Sequence, residues 1–97
     1  MKFIQIIEYT TTKPDEVQAA LDEFLAATGG SRPNTRASVT ADRDRPNVYL
    51  NIVEFPSYEV AMKNSESPEV KTLSEKMMKL ADGPPTFRNL DVTFEED

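Results

Sequence analysis

Two amides stand among apolar neighbours. In FIQIIEY (residues 3–9) Gln5 shares a strand face with Phe3, Ile7 and Tyr9. In VYLNIVEF (residues 48–55) Asn51 shares one with Tyr49, Val53 and Phe55. A buried amide requires hydrogen-bond partners. Gln5 and Asn51 could converge on a ligand held between sheet and helices and orient its carbonyl or phenol. They could equally bond each other or a second copy of the chain. Tyr9, Tyr49 and Tyr58 add phenols able to donate a proton or a hydrogen bond, although amphipathic core filling is the commoner use of the ring. Met62 suits a core or an adaptable pocket wall, and Asn64 sits at a corner between two helices. Gln5, Tyr9, Tyr49, Asn51, Tyr58, Met62 and Asn64 are therefore the candidate ligand contacts, and no residue is singled out as catalytic.

The remaining chemistry is bounded by what the chain lacks. It has no Cys and no His. Thiolate catalysis and Cys-ligated metals are excluded, as are a Ser-His-Asp triad, a 2-His-1-carboxylate iron and a His-ligated haem. Acid pairs such as Glu95-Glu96 lie on a tail without rigid spacing, so neither a metal nor a cofactor is expected. Arg36 and Arg88 fall on strands and could clamp a carboxylate, or pair with Glu8, Glu54 or Asp91. Asp42-Arg43-Asp44-Arg45 alternates in sign and reads as a solvated hairpin tip. A net charge of −6 with scattered basic residues disfavours nucleic acid and anionic membrane surfaces. The start, MKFIQIIEYTTT, is too short in its apolar run for a signal peptide or a membrane helix, so a cytoplasmic location is expected.

These residues need elements to position them. At 97 residues the chain is one domain, residues 1–97, with room for one thin core. Residues 2–9 are apolar on both parities, as a central strand covered on both faces would be. Thr12 is placed to cap a helix over 13–28, with Pro14, Asp15 and Glu16 in its first turn. Val17, Ala20, Leu21, Phe24 and Leu25 form its apolar stripe, and Gly29-Gly30 is placed to end it. Residues 34–42 read as a polar edge strand, 42–47 as a turn and 48–55 as a second strong strand. Ser57 caps a short helix. Pro68 forces Ser67 out of the helical region and opens a longer helix with Val70, Leu73, Met77 and Leu80 on one face. Glu75 and Lys79 are spaced to pair on the other. Asp82-Gly83-Pro84-Pro85 stops it, and 86–94 alternates as a last strand.

The order β-α-β-β-α-β predicts an α+β, ferredoxin-like sandwich: a four-stranded antiparallel sheet with its helices on one face. Two helices on one face leave the other face of the sheet uncovered. Yet Ile4 and Ile6 in the first strand, and Val48, Leu50 and Ile52 in the third, make the second face apolar too. A second copy related by a two-fold axis would bury it, so a homodimer is expected.

The whole element order, together with Glu54-Phe55, Ser57-Tyr58-Glu59, Asn64-Ser65 and Ser67-Pro68-Glu69-Val70, resembles the dimeric α+β barrel superfamily of the antibiotic-biosynthesis-monooxygenase type. The resemblance implies protomers whose sheets pack face to face. Many relatives place a His where this chain has Lys63-Asn64-Ser65, and some pair an Asn with a Trp. This chain has neither His nor Trp, so haem chemistry is not implied, and an oxygenase here would be cofactor-free, its substrate supplying the electrons to O₂. Fold alone does not transfer activity. The expected function is a homodimer that binds a small, partly apolar organic molecule between sheet and helices. A cofactor-free monooxygenase or isomerase of aromatic or polyketide-like substrates, and a non-catalytic structural dimer, are the alternatives.

Overall fold

The computed structural model describes residues 1–28 and 35–96. The elements run β1 (Phe3–Thr10), α1 (Pro14–Ala27), β2 (Arg36–Ala41), β3 (Val48–Phe55), α2 (Tyr58–Ser65), α3 (Pro68–Leu80) and β4 (Thr86–Asp91). The strands form one antiparallel sheet in the order β2-β3-β1-β4. The two most apolar strands, β1 and β3, thus take the centre, and the more polar strands 36–41 and 86–91 take the edges. This is the ferredoxin-like arrangement expected from the sequence, with all helices on one face.

Registry fixes which side chains share that face. Phe3 stands opposite Phe55, Gln5 opposite Val53, Ile7 opposite Asn51 and Tyr9 opposite Tyr49. Side chains alternate across a strand, so all eight point to the helices. Phe3 and Phe55 are each only 2% exposed and close a cluster with Ala61 of α2, against which Val53 and Met62 pack. Val17, Ala20 and Phe24 bury the inner stripe of α1.

The split in the second crossover follows local chemistry. The Ser57 hydroxyl accepts from the Val60 N–H and caps α2, and the Ser67 hydroxyl accepts from the Val70 N–H and caps α3, each at 3.2 Å. Ser67 is extended (φ −69°, ψ 144°), the conformation a following proline demands.

Several expectations are corrected. Lys13, not Thr12, occupies the N-cap of α1, with no side-chain cap. Thr11 is the threonine whose hydroxyl is drawn inward, and it accepts from the Lys13 N–H at 3.0 Å. Gly29-Gly30 lies outside the described residues. β4 ends at Asp91, because Phe3 is its last partner on β1; one further bond, from the Val92 N–H to the Lys2 carbonyl at 2.9 Å, continues the pairing. No residue of α3 is buried. Leu73 lines an open groove of about 280 Å³ between α1 and α3, so it is a half-covered residue and not a core one. Glu75 and Lys79 form no ion pair among the described residues. Lys76 instead bonds Glu23 on the neighbouring helix α1.

Candidate functional site

At the C-terminal end of β1, three connections are tied at one residue. Thr11 is fully buried. Its hydroxyl donates to the Leu80 carbonyl at the end of α3 (2.7 Å) and accepts from Lys13 at the start of α1. Its N–H donates to the Asn47 carbonyl in the β2–β3 turn (2.9 Å), and the Asp82 N–H donates to the neighbouring Thr10 carbonyl (2.7 Å). Asn47 adopts a left-handed φ of 66°, which Asn tolerates better than most residues. Nothing in the run Thr10-Thr11-Thr12 distinguishes the middle member; only the fold makes it the node.

This clasp holds the end of the sheet that carries the polar aromatics. The Tyr9 and Tyr49 rings lie nearly parallel, 21° between planes and 5.9 Å between centroids. The Tyr9 hydroxyl donates to Asn51 Oδ1 at 3.2 Å. Burial raises the Tyr9 pKa above its ordinary value, the neighbouring Tyr49 adds to this, and the bond to Asn51 opposes it. Tyr9 is thus a neutral phenol near pH 7. Beside it lies a cavity of about 100 Å³. Tyr9, Tyr49 and Val39 line it from the sheet, Val17, Gln18 and Leu21 from α1, and Thr11 and Pro14 from the connection between them. The i, i+4 pair Val17 and Leu21 on α1 and the lone large apolar residue Val39 on β2 were the signals available for these walls.

The other candidate residues sit elsewhere. Gln5 Nε2 donates to Asn89 Oδ1 on β4 at 3.3 Å, not to Asn51. The Tyr58 ring meets Phe3 edge-on, with centroids 5.3 Å apart and planes at 82°, and is 51% exposed. Met62 packs on the Phe3–Phe55–Ala61 cluster. Asn64 is half-buried on α2. The seven candidates therefore divide into a cavity group, Tyr9, Tyr49 and Asn51 behind them, and a group near the opposite end of the sheet, Gln5, Tyr58, Met62 and Asn64.

The outward face of the sheet carries Ile4, Ile6, Leu50, Ile52 and Leu90, read from the register. Ion pairs flank it. Lys2 bonds Glu54 (3.0 Å) and Glu95 (2.8 Å), and Glu8 receives Arg45 (3.1 Å) and Arg88 (3.6 Å). Arg88 is thus occupied by Glu8, one of the pairings anticipated for it. The hairpin tip closes on itself: Asp42 accepts from the Asp44 N–H at 2.9 Å and from Arg45 Nε at 2.8 Å. Those two bonds hold the Asp42 carboxyl below its ordinary pKa. Among the described residues no group of three or more acids could hold a metal, and no helix is long and apolar enough to cross a membrane.

No protein-family model matches the chain, and no curated protein does. Solved structures do. A candidate antibiotic biosynthesis monooxygenase from Caulobacter crescentus gives a TM-score of 0.83 at 14% identity, over 96% of this chain and 91% of that one. SnoaB, a cofactor-independent oxygenase from Streptomyces nogalater, gives 0.79 at 16% identity, over 97% and 95%. Rv0793 from Mycobacterium tuberculosis gives 0.80 at 16% identity over the whole of both chains. The chain has the ferredoxin-like fold that these structures share.

Proposed function

We propose that this chain is a homodimer that binds a small, partly apolar organic molecule in each protomer, in the cavity between α1 and the Tyr9–Tyr49 end of the sheet. The cavity beside a buried, hydrogen-bonded tyrosine carries this reading. Such a pocket, mostly apolar with a few placed polar groups, is the common form of a small-molecule site. Its size sets a limit: an engineered 150 Å³ cavity holds benzene, so at about 100 Å³ it takes one edge of a ring or a small substituent while the rest of the ligand stays outside. The dimer rests on the outward sheet face, whose central isoleucines and leucines meet water in a lone protomer.

Titration of the labelled protein with small aromatic alcohols is expected to shift the amide signals of Tyr9, Val17, Leu21, Val39 and Tyr49. Shifts confined to other surfaces, or none, would remove the binding reading. Sedimentation at several concentrations tests assembly. The native chain should sediment as a dimer at tens of micromolar, and Ile6→Lys, in the middle of the outward face, as a monomer.

The likeness to a cofactor-independent oxygenase supports a second, catalytic reading. Oxidation of an activated methylene balances as R₂CH₂ + O₂ → R₂C=O + H₂O, the substrate carbanion giving its electrons to oxygen. Among the described residues the cavity walls contain no carboxylate or amine to take the proton. A substrate turned over here must ionise readily by itself, which favours binding over catalysis. Aerobic consumption of an anthrone-like phenol that stops under anaerobic conditions would establish the catalytic reading.

A further inference from the structure

The connection from α3 to β4 carries a chemically labile step. Asp82-Gly83 is the single place in the sequence where an Asp or Asn precedes Gly. An Asp side chain closes on the main-chain nitrogen of the next residue to form a cyclic imide, and a side chain on that next residue obstructs the closure. Gly83 has none, and its φ of 111° lies where glycine is at ease. The fold also leaves the reacting groups free. Asp82 and Gly83 are both exposed. Among the described residues the Gly83 N–H donates to no acceptor, and the Asp82 carboxylate accepts no hydrogen bond and pairs with no cation. Beyond its chain neighbours, no atom lies within 4 Å of the point where a Gly83 side chain would begin. Comparable steps elsewhere are guarded. Asn64-Ser65 lies in α2, where main-chain N–H groups are committed to helical bonds. Asn47 precedes the β-branched Val48, whose N–H donates to the Arg45 carbonyl at 3.4 Å.

We infer that Asp82 converts spontaneously to isoaspartate in the folded protein, and that the change loosens the clasp at Thr10 and Thr11. The Gly83 nitrogen bonds to Asp82 Cγ, and the carboxyl hydroxyl leaves as water with the nitrogen's proton. Water then cleaves the bond from that nitrogen to the Asp82 main-chain carbonyl carbon. One water leaves and one enters, and nothing is oxidised or reduced. The new linkage runs through Cβ and Cγ of Asp82. It lengthens the main chain by one carbon and leaves a carboxylate where the peptide carbonyl stood. That extra carbon falls directly after the Asp82 N–H, which donates to the Thr10 carbonyl at 2.7 Å. It also follows closely on Leu80, whose carbonyl accepts from the Thr11 hydroxyl. Both bonds depend on the course of this connection, and hydrogen bonds weaken steeply as their geometry departs from the ideal.

Warm incubation of the native chain near neutral pH, sampled over weeks, tests this. Isoaspartate is read by methyl transfer from S-adenosylmethionine with an isoaspartyl methyltransferase, and its position by peptide mapping. The modification is expected to accumulate at Asp82, in the folded chain as fast as in the guanidinium-unfolded chain. It should be lost in Asp82→Glu, whose longer side chain keeps the charge but closes the ring poorly. Isoaspartate that maps elsewhere, or a step that the native fold protects relative to the unfolded chain, overturns the assignment. The aged chain, separated by chromatography, is then compared with the fresh one by amide hydrogen exchange, which reports local opening. The Thr11 and Asp82 amides should exchange faster in the aged chain, while those of Phe3 and Phe55 at the other end of the sheet keep their rates. Unchanged exchange at Thr11 and Asp82 overturns the loosening of the clasp.

Discussion

The central strand pair carries an aromatic pair at each end, and the two ends are built for different work. At one end Phe3 faces Phe55, and at the other Tyr9 faces Tyr49. The Phe end is shut: Ala61 is small enough for α2 to lie close over the rings, and Val53 and Met62 fill the flanks. The Tyr end is held open. Here α1 presents Val17 and Leu21 across a space of about 100 Å³, and the loops around it are fixed by hydrogen bonds to Thr10 and Thr11 rather than by packing. Apolar packing closes one end because nothing there needs a polar partner. A phenol at the other end requires one, and Asn51 supplies it.

Four outcomes would break or sharpen this contrast. Phe55→Ala at the closed end should cost about 3–5 kcal/mol in denaturant unfolding, the range for a fully buried Phe; a loss below about 1 kcal/mol would mean that the Phe end is no better packed than the Tyr end. Thr11→Val keeps the shape but leaves the Leu80 carbonyl without its donor, so a loss of about 1–3 kcal/mol is expected. A neutral result would deny that hydrogen bonds hold the open end. Tyr9→Phe should cost about 1 kcal/mol or less, because only the hydroxyl and its bond of 3.2 Å to Asn51 are removed. Its larger effect should be on ligand shifts at Val17 and Leu21. The smallest effect concerns Asp42, whose folded pKa lies below the ordinary 3.8. Its stabilising contribution is present above that value and is lost as pH falls through the lower folded value. Acid titration of the native chain should therefore show a small loss below pH 3.8 that Asp42→Asn lacks, and that mutation should leave the phenylalanine end untouched.

Most of the fold was legible in the chain, and for local reasons. Ser57, and Ser67 ahead of Pro68, placed both helix starts of the second crossover, because a cap and a proline act within one turn. The bounds of β3 follow from its apolar-rich run between the 42–47 turn and Pro56. The misreadings have non-local causes. Thr12 looked like the better cap by spacing, but Thr11 is the residue that the converging loops bury. The 3-4-3 stripe of α3 looked like core, but an amphipathic face is buried only as far as its neighbours reach, and the groove beside Leu73 leaves it half covered. The last strand was read three residues too long because alternation persists to Phe94, whereas pairing stops where β1 begins.

The sequence by itself determined the element order, the central places of the two most apolar strands and the presence of amides and phenols on their inner face. Those follow from period, propensity and capping, which each stretch carries within itself. Only the tertiary structure decided that Asn51 serves Tyr9 while Gln5 turns to Asn89. The two amides have the same chemistry and the same inward parity. What separates them is position: Asn51 lies diagonally across from Tyr9, and Gln5 lies level with Asn89 on the neighbouring edge strand. Hydrogen bonds reach about 3 Å, so strand register selects the partner.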